Sequence, residues 1–366
     1  MGKRFLKDVV KERKSSLKLS QVNDNGYFPV FGASGIVGYR DDFQIGDPAV
    51  AIIKDGAGIG RVSLLPKKSS VLGTMEAFVP NSDISNEYLY FYLTHLKLGQ
   101  SFTGSTIPHI YFKNYKNSVF PDESFDNQMK KASYLISISN EISKKKNQID
   151  NLDFLVKSLF NEMFGDPEAN SKNFEVGKIN DIGKCVAGAT PSTSVKEYWE
   201  NGTIPWLSSG EVNKGHIYET DSFITQLGYD NASTKLVPAH TVVLAMAGQG
   251  KTRGTPAIAE IELCTNQSIC SIVNNEKVNA EYLYHYLLTQ YGNLRSSSNG
   301  DGGRGGLNLK IIGNFRIIIP PIELQNEFAD FVKLIDKSKF VVQKEIKDLQ
   351  ELLDSKMDEY FGGDEE

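Results

Sequence analysis

No apolar run in this 366-residue chain reaches the roughly 20 residues that a helix needs to cross a bilayer. Nor is there a secretory signal: the basic pair Lys3-Arg4 is followed by charge where an apolar stretch should lie, and Leu6 stands where myristoylation wants Ser or Thr. The three cysteines, Cys185, Cys264 and Cys270, stand far apart in sequence and form no CxxC. They read as reduced thiols of a cytoplasmic protein and not as a disulfide framework. The five histidines, His95, His109, His216, His240 and His285, show no metal-ligand spacing, so no metal site is expected.

Familiar catalytic signatures are missing too. Gly250-Lys251-Thr252 lacks a glycine five residues earlier, where Ala245 stands, and Gly254 and Pro256 interrupt any following helix, so no ATP loop is expected. Gly56-Ala57-Gly58-Ile59-Gly60 is not GxGxxG and reads as a glycine hairpin turn. There is no Asp/Asn-Pro-Pro-Tyr/Phe, the motif with which amino-methyltransferases hold a target base. Net basic charge is also lacking: the total is −5. The acid is unevenly spread, however. Residues 1–122 carry 15 lysines and arginines against 11 acids, whereas residues 322–366 carry 6 against 13. A local basic face is therefore permitted.

What the chain does have is an internal repeat. Glu87-Tyr88-Leu89-Tyr90-Phe91-Tyr92-Leu93 recurs as Glu281-Tyr282-Leu283-Tyr284-His285-Tyr286-Leu287, 194 residues on. The stretch His109–Pro121 returns as Asn308–Pro320, and Leu6–Lys11 as Ile179–Lys184. Gln128 matches Gln325 and Glu162–Gly165 matches Glu359–Gly362, both at an offset of 197, so no gap falls between them.

Within that gapless stretch Leu135, Ile138, Ile142, Lys145, Ile149, Leu152, Val156, Leu159 and Met163 step by three and four. Val332, Ile335, Lys339, Val342, Ile346, Leu349, Leu353, Lys356 and Tyr360 do the same in the second copy. This is the seam of a coiled coil in each copy, ended by Gly165 and Gly362. A helix over 126–164 would be about 58 Å long. Burying both seams against each other, in the order domain, helix, domain, helix, gives an antiparallel pair. Two unrelated helices in separate cores are the alternative, and they would make the gapless repeat a coincidence.

The expected architecture is α+β. Two similar mixed α/β domains, 1–122 and 167–321, alternate with helical spacers, 123–166 and 322–366, in a pseudo-twofold repeat. Each domain should hold a curved mixed sheet. Pro48–Ile53 and Thr241–Ala247 read as buried strands that run into exposed loops bearing glycines and cations. Glu87–Leu98 and Glu281–Gln290 read as helices whose tyrosines face the core.

The loops carry chemistry suited to DNA. Arg pairs with guanine and Gln or Asn with adenine, while Lys, Ser, Thr and glycine amides hold phosphates. Gln249, Lys251, Thr252 and Arg253 offer that set within five residues. Lys54, Arg61, Ser105, Thr106 and His109 are the counterparts in the first half, and Arg304 and Asn308 add to the second.

Phe28–Gly35, Gly104–His109 with Phe112-Lys113-Asn114-Tyr115, Ile204–Glu211 and Met246–Gly254 resemble the specificity subunit of Type I restriction–modification enzymes. So does Leu324-Gln325, and the resemblance runs through essentially the whole chain. It adds Ser208 and Ser209 to the candidate DNA contacts. It implies two target-recognition domains, each reading half of a split, asymmetric double-stranded DNA site, with the helices fixing the unread spacer. Two modification subunits would bring S-adenosylmethionine and methylate adenine. Two ATP-dependent restriction subunits, using Mg, would translocate and cleave. The chain itself would be no enzyme and carry no cofactor. A free-standing bipartite DNA-binding protein is the alternative.

Overall fold

The structure, a computed structural model, describes residues 3–100, 108–248, 250, 252–297 and 306–362. The chain divides into two compact units, 1–149 with 341–366, and 150–340. The division falls inside both long helices, Phe125–Phe164 and Ile322–Phe361.

In the first unit the strands Val10–Lys14, Met75–Pro80, Ala49–Ile53 and Val62–Leu65 form a four-stranded antiparallel sheet in that order. Every residue of Ala49–Ile53 is buried, yet the strand's two-residue period still sorts them. Val50 and Ile52 join the cluster that holds the tyrosine helix and long-helix residues. Ala49, Ala51 and Ile53 join a second cluster with Ile45, Leu65 and Val71. A strand with apolar neighbours on both faces shows a continuous apolar run, which is why no alternation marks it in the sequence. A separate three-stranded sheet, Gly35–Arg40, Phe28–Gly32 and Ser70–Val71, lies alongside in the topology, its last pair parallel.

The second unit repeats this plan. Gly183–Ala187, Ile269–Asn274, Thr241–Ala245 and Pro256–Ala259 are joined by a fifth strand, His216–Ile217, paired parallel to the last. Ser222–Ile224, Ile204–Leu207 and Cys264–Thr265 make its small sheet. The expectation of one curved mixed sheet per domain is thus replaced by these two sheets and a two-stranded antiparallel one, Arg4–Phe5 with Val119–Phe120 in the first unit and Glu175–Lys178 with Arg316–Ile319 in the second. The largest is antiparallel except for the added strand, and the three-stranded one is mixed.

The tyrosine helices are Asn86–His95 and Ala280–Thr289. The first stops short of the expected Leu98, because Lys97 adopts a left-handed φ of 46° and a short 3-10 turn follows. Tyr92 donates to Val119 O at 3.0 Å, Tyr282 to Ile318 O at 2.8 Å and Tyr286 to Arg316 O at 3.0 Å. These tyrosines are therefore core groups with satisfied hydroxyls.

The long helices pair antiparallel within each unit. In the first, Lys131 lies over the Tyr360 ring and Lys145 pairs with Glu345 at 2.7 Å, so one number rises as the other falls. In the second, Asp153 meets Lys339 at 2.7 Å and Phe164 packs on Phe328. Lys145 and Lys339 thus face acids on the opposite helix, whereas the third seam lysine, Lys356, pairs with Glu359 on its own helix. The seam also rotates. Phe160 and Phe164 are buried in place of the expected Leu159 and Met163, and Met357 and Phe361 in place of Lys356 and Tyr360. An α-helix turns every 3.6 residues, so a 3.5-residue stripe drifts around it. At these ends the buried face meets a tyrosine helix: Phe164 packs on Tyr282, and Phe361 on Tyr88 and Tyr92.

Candidate nucleic-acid interface

Each unit has a rim built from four segments, stitched by the same backbone hydrogen bonds. In the first, Leu72 N donates to Phe31 O at 2.9 Å, Lys54 N to Thr74 O at 3.0 Å and Ile110 N to Lys54 O at 3.0 Å. In the second, Asn266 N donates to Leu207 O at 3.1 Å, Met246 N to Ser268 O at 2.7 Å and Leu307 N to Met246 O at 2.9 Å. The turn after the middle strand of the small sheet, the turn leaving that sheet's parallel strand, the loop leaving the central buried strand, and the segment entering a short helix therefore stand side by side.

The glycine loops differ in length on this shared frame. Gly60 N bonds Ile53 O at 2.8 Å, and Gly254 N bonds Ala245 O at 2.9 Å. The second loop is two residues longer between these anchors. Gly60, at φ 80°, runs so close to Gly99 that a Cβ would lie 2.2 Å from its nitrogen, so only glycine fits. A hairpin is therefore present at 54–61, as its glycines suggest.

The rim side chains are short polar groups and cations. Lys54 is half-buried, and Arg61 is exposed with Nη1 donating to Ala33 O at 3.2 Å. His109 Nδ1 lies 2.6 Å from Asp55 Oδ1. In the second unit Thr252 and Arg253 are half-buried beside Gly248 and Gly254. Such hydrogen-bonding and cationic side chains are what base edges and phosphates require.

Comparison with known proteins gives the family. Residues 1–151 and 171–351 match the family described as Type I restriction modification DNA specificity domain. The chain belongs to this family. It is 24% identical over 344 residues to the Type I restriction enzyme EcoR124I/EcoR124II specificity subunit of Escherichia coli, covering 88% of this chain and 82% of that protein. It is 34% identical over 142 residues, 37% of this chain and 32% of the other, to the Type I restriction enzyme MjaIX specificity subunit of Methanocaldococcus jannaschii. The crystal structure of a Type-I restriction-modification system S subunit from M. genitalium superposes with a TM-score of 0.62 at 17% identity, over 98% of this chain and 96% of that one. The two matched stretches of the specificity domain each contain one rim.

The sequence-derived candidates fall unevenly on the rims. Lys54, Arg61 and His109 meet in the first; Ser208, Ser209, Thr252, Arg253 and Asn308 share the second. Ser105, Thr106, Gln249, Lys251 and Arg304 lie outside the described residues. Two candidates already have structural tasks. Asn308 Oδ1 accepts from Ile311 N at 2.9 Å as a helix cap. Ser208 N and Oγ both donate to Glu211 Oε1 at 3.0 Å.

Other rim residues are not evident from motif chemistry. Thr74 is exposed on the rim turn of the first unit, and Gln267, next to the half-buried Asn266, on that of the second. The repeat could have found them, since Leu72 and Asn266 differ by the offset of the tyrosine helices. Arg295 is a brace behind the second loop, donating through Nη1 to Gly250 O at 2.7 Å and Arg253 O at 3.2 Å. Among the described residues no helix is long and apolar enough to cross a membrane.

Two clusters lie away from the rims. Glu76 is buried and hydrogen-bonds Glu12. Burial and then that bond push its carboxyl up to about 8, while the bond holds Glu12 below its ordinary value. In the second unit the fold brings together His216, Glu260, Glu281 and His285, which sequence spacing gave no reason to associate.

Proposed function

We propose that the chain is the DNA-reading, non-catalytic subunit of a Type I restriction–modification assembly. Domains 1–122 and 167–321 each read half of a bipartite, asymmetric double-stranded target, and segments 123–166 and 322–366 link them. The observation that carries this reading is the doubled rim: one backbone frame, dressed with different side chains in each half. A shared frame gives both halves the same way of meeting a duplex, and different side chains give two different words. Rim loops would enter the major groove, where all four base pairs are distinguishable.

Two modification subunits, carrying S-adenosylmethionine, would methylate adenine at the site so chosen. Two restriction subunits, using ATP and Mg, would cleave. In this reading the chain carries none of these cofactors and acts in the cytoplasm. With a net charge of −5 it binds DNA weakly alone, because phosphate neutralisation supplies most of such affinity. The pairing of the long helices sets the unread spacer, so a heptad added to both should change the spacer and leave the half-sites intact.

The test is to map methylated adenines in a host expressing this chain with its modification subunit. Arg61→Ala should relax or abolish one half-site, and Arg253→Ala the other. Equal loss at both halves from either change would overturn the assignment of one rim to one word. Tight, salt-dependent binding of a specific site by the purified chain alone would instead favour a free-standing DNA-binding protein.

A further inference from the structure

His216 lies on the strand that the second unit adds to its larger sheet. Its Nδ1 is 2.7 Å from Glu260 Oε1, and the other oxygen of Glu260 is 3.1 Å from His240 Nδ1. His216 therefore has one nitrogen fixed by a carboxylate, and its Nε2 faces Glu281 Oε1 at 3.7 Å. Glu281 and His285 stand one turn apart on the tyrosine helix, with His285 Nε2 at 3.8 Å from Glu281 Oε2. Glu281 Oε2 and His285 Nε2 are both buried without a hydrogen-bond partner.

The repeat sharpens the anomaly. Where the second unit has His285, the first has Phe91, 4% exposed within an apolar cluster. Replacing a buried phenyl by an imidazole with an idle nitrogen is costly unless something engages that nitrogen.

Separations of 3.7 and 3.8 Å exceed a hydrogen bond. They approach the roughly 3.4 Å between neighbouring donors around one tetrahedral zinc with bonds of about 2.0–2.2 Å. His216, Glu260 and Glu281 each offer a ligand atom within 4.8 Å of the others. The Glu260–His216 contact matches the carboxylate that orients a metal-bound imidazole and fixes its tautomer. His216 and His285 also line a cavity of about 650 Å³, which leaves room for a water as a further ligand.

We propose that His216 Nε2, the Glu281 carboxylate and His285 Nε2 bind one zinc-type divalent cation, with Glu260 orienting His216. The ion ties the tyrosine helix of the second unit to the strand His216–Ile217. His216 and Glu281 already stand within reach of one ion, and the His285 ring, outside that group, has to swing toward them to complete the coordination shell. The first unit has Glu87 and Phe91 at the corresponding helix positions, so the site belongs to the second unit alone.

The experiment uses the full chain, stripped with a chelator and titrated with zinc sulfate against a chromogenic competitor. The expected result is one tightly held zinc per chain, a higher thermal midpoint with zinc than with chelator, and an X-ray absorption spectrum of nitrogen and oxygen ligands. Glu281→Gln, and His285→Phe, which installs the first unit's own residue, should remove the stoichiometric site. Glu260→Gln should weaken it by about 10- to 100-fold. No stoichiometric zinc on the wild-type chain, sulfur in the coordination shell, or unchanged affinity in a folded His285→Phe or Glu281→Gln variant would overturn the proposal. The wild-type titration decides even if a variant fails to fold.

Discussion

Gln128 Oε1 accepts a hydrogen bond from Ser85 N at 2.9 Å, joining the start of a long helix to the cap of a tyrosine helix. Its Nε2 donates to Asp83 O at 3.2 Å and Glu123 O at 2.9 Å. Gln325 does the same work in the second unit, accepting from Asn279 N at 2.9 Å and donating to Lys277 O at 3.1 Å and Pro320 O at 2.8 Å. Both amides are fully buried. Gln128→Leu or Gln325→Leu would leave an amide and two carbonyls short of partners. Each should destabilise its own unit by about 3 kcal/mol, read as a lower urea midpoint. Gln→Glu should be no milder, because a carboxylate cannot donate to the two carbonyls. A loss under half a kcal/mol would show that water replaces the clamp.

Glu76 gives the first unit a pH dependence of definite sign. Its pKa is about 8 when folded and near 4.5 when exposed, with burial the main cause and the bond to Glu12 second. The folded state therefore holds a proton that the unfolded state releases between these values. The stabilisation is complete below about 4.5 and is lost as pH rises through about 8. Glu76→Gln keeps a neutral, hydrogen-bonding side chain and has nothing to ionise. Thermal midpoints measured from pH 5 to pH 8.5 should fall less in this variant than in the wild type, and the variant should be the more stable at pH 8.5. Parallel curves would show that Glu76 is ionised in the folded protein.

The repeat was legible because Tyr92, Tyr282, Tyr286, Gln128 and Gln325 each hold hydrogen bonds that few other residues can make, and the Tyr88 ring packs on Phe361. The helix stripes were legible too, until the helix ends turned toward Tyr88 and Tyr282 and the buried residues moved one place along. What sequence spacing does not carry is adjacency across a sheet. The rim brings residue 31 to 72 and 54 to 110 through backbone bonds, which leave no side-chain signature. Thr74 and Asn266 were invisible for this reason, while Lys54 and Arg253 stood out by their charge. The grouping of His216 with Glu260 and Glu281 likewise depends on strand pairing and not on spacing.

Cys185 and Cys270 correct the impression of isolated thiols. Their strands pair antiparallel, with Cys185 opposite Ile272 and Cys270 opposite Ala187, so the two side chains meet on the diagonal. A hydrogen bond from Cys270 lowers the Cys185 pKa, while the same bond and burial raise that of Cys270. Burial also pushes Cys264 up to about 11. The thiolate is the nucleophile, so iodoacetamide at neutral pH should label Cys185 well before either of the others in the folded chain. Peptide mass spectrometry reads the order. Labelling of Cys264 first would contradict it, and Cys270→Ser should slow Cys185 by weakening the bond that favours its thiolate.

The pairing of Lys339 with Asp153 sets the register of the long helices in the second unit, and charge reversal tests it. Lys339 Nζ is 2.7 Å from Asp153 Oδ1 and 3.3 Å from Asp336 Oδ1, with a quarter of the lysine side chain exposed. A wholly exposed pair would contribute less than about 1 kcal/mol, but a lysine in the seam also carries its stem against apolar neighbours. Lys339→Asp places three carboxylates together and should cost about 2 kcal/mol by repulsion and lost packing. Adding Asp153→Lys restores an opposite charge only if the two positions face each other across the antiparallel pair. The double variant should regain about half of the single variant's loss, and the double-mutant cycle in urea measures the coupling. Additive losses would place these residues out of contact and shift the register by at least one turn.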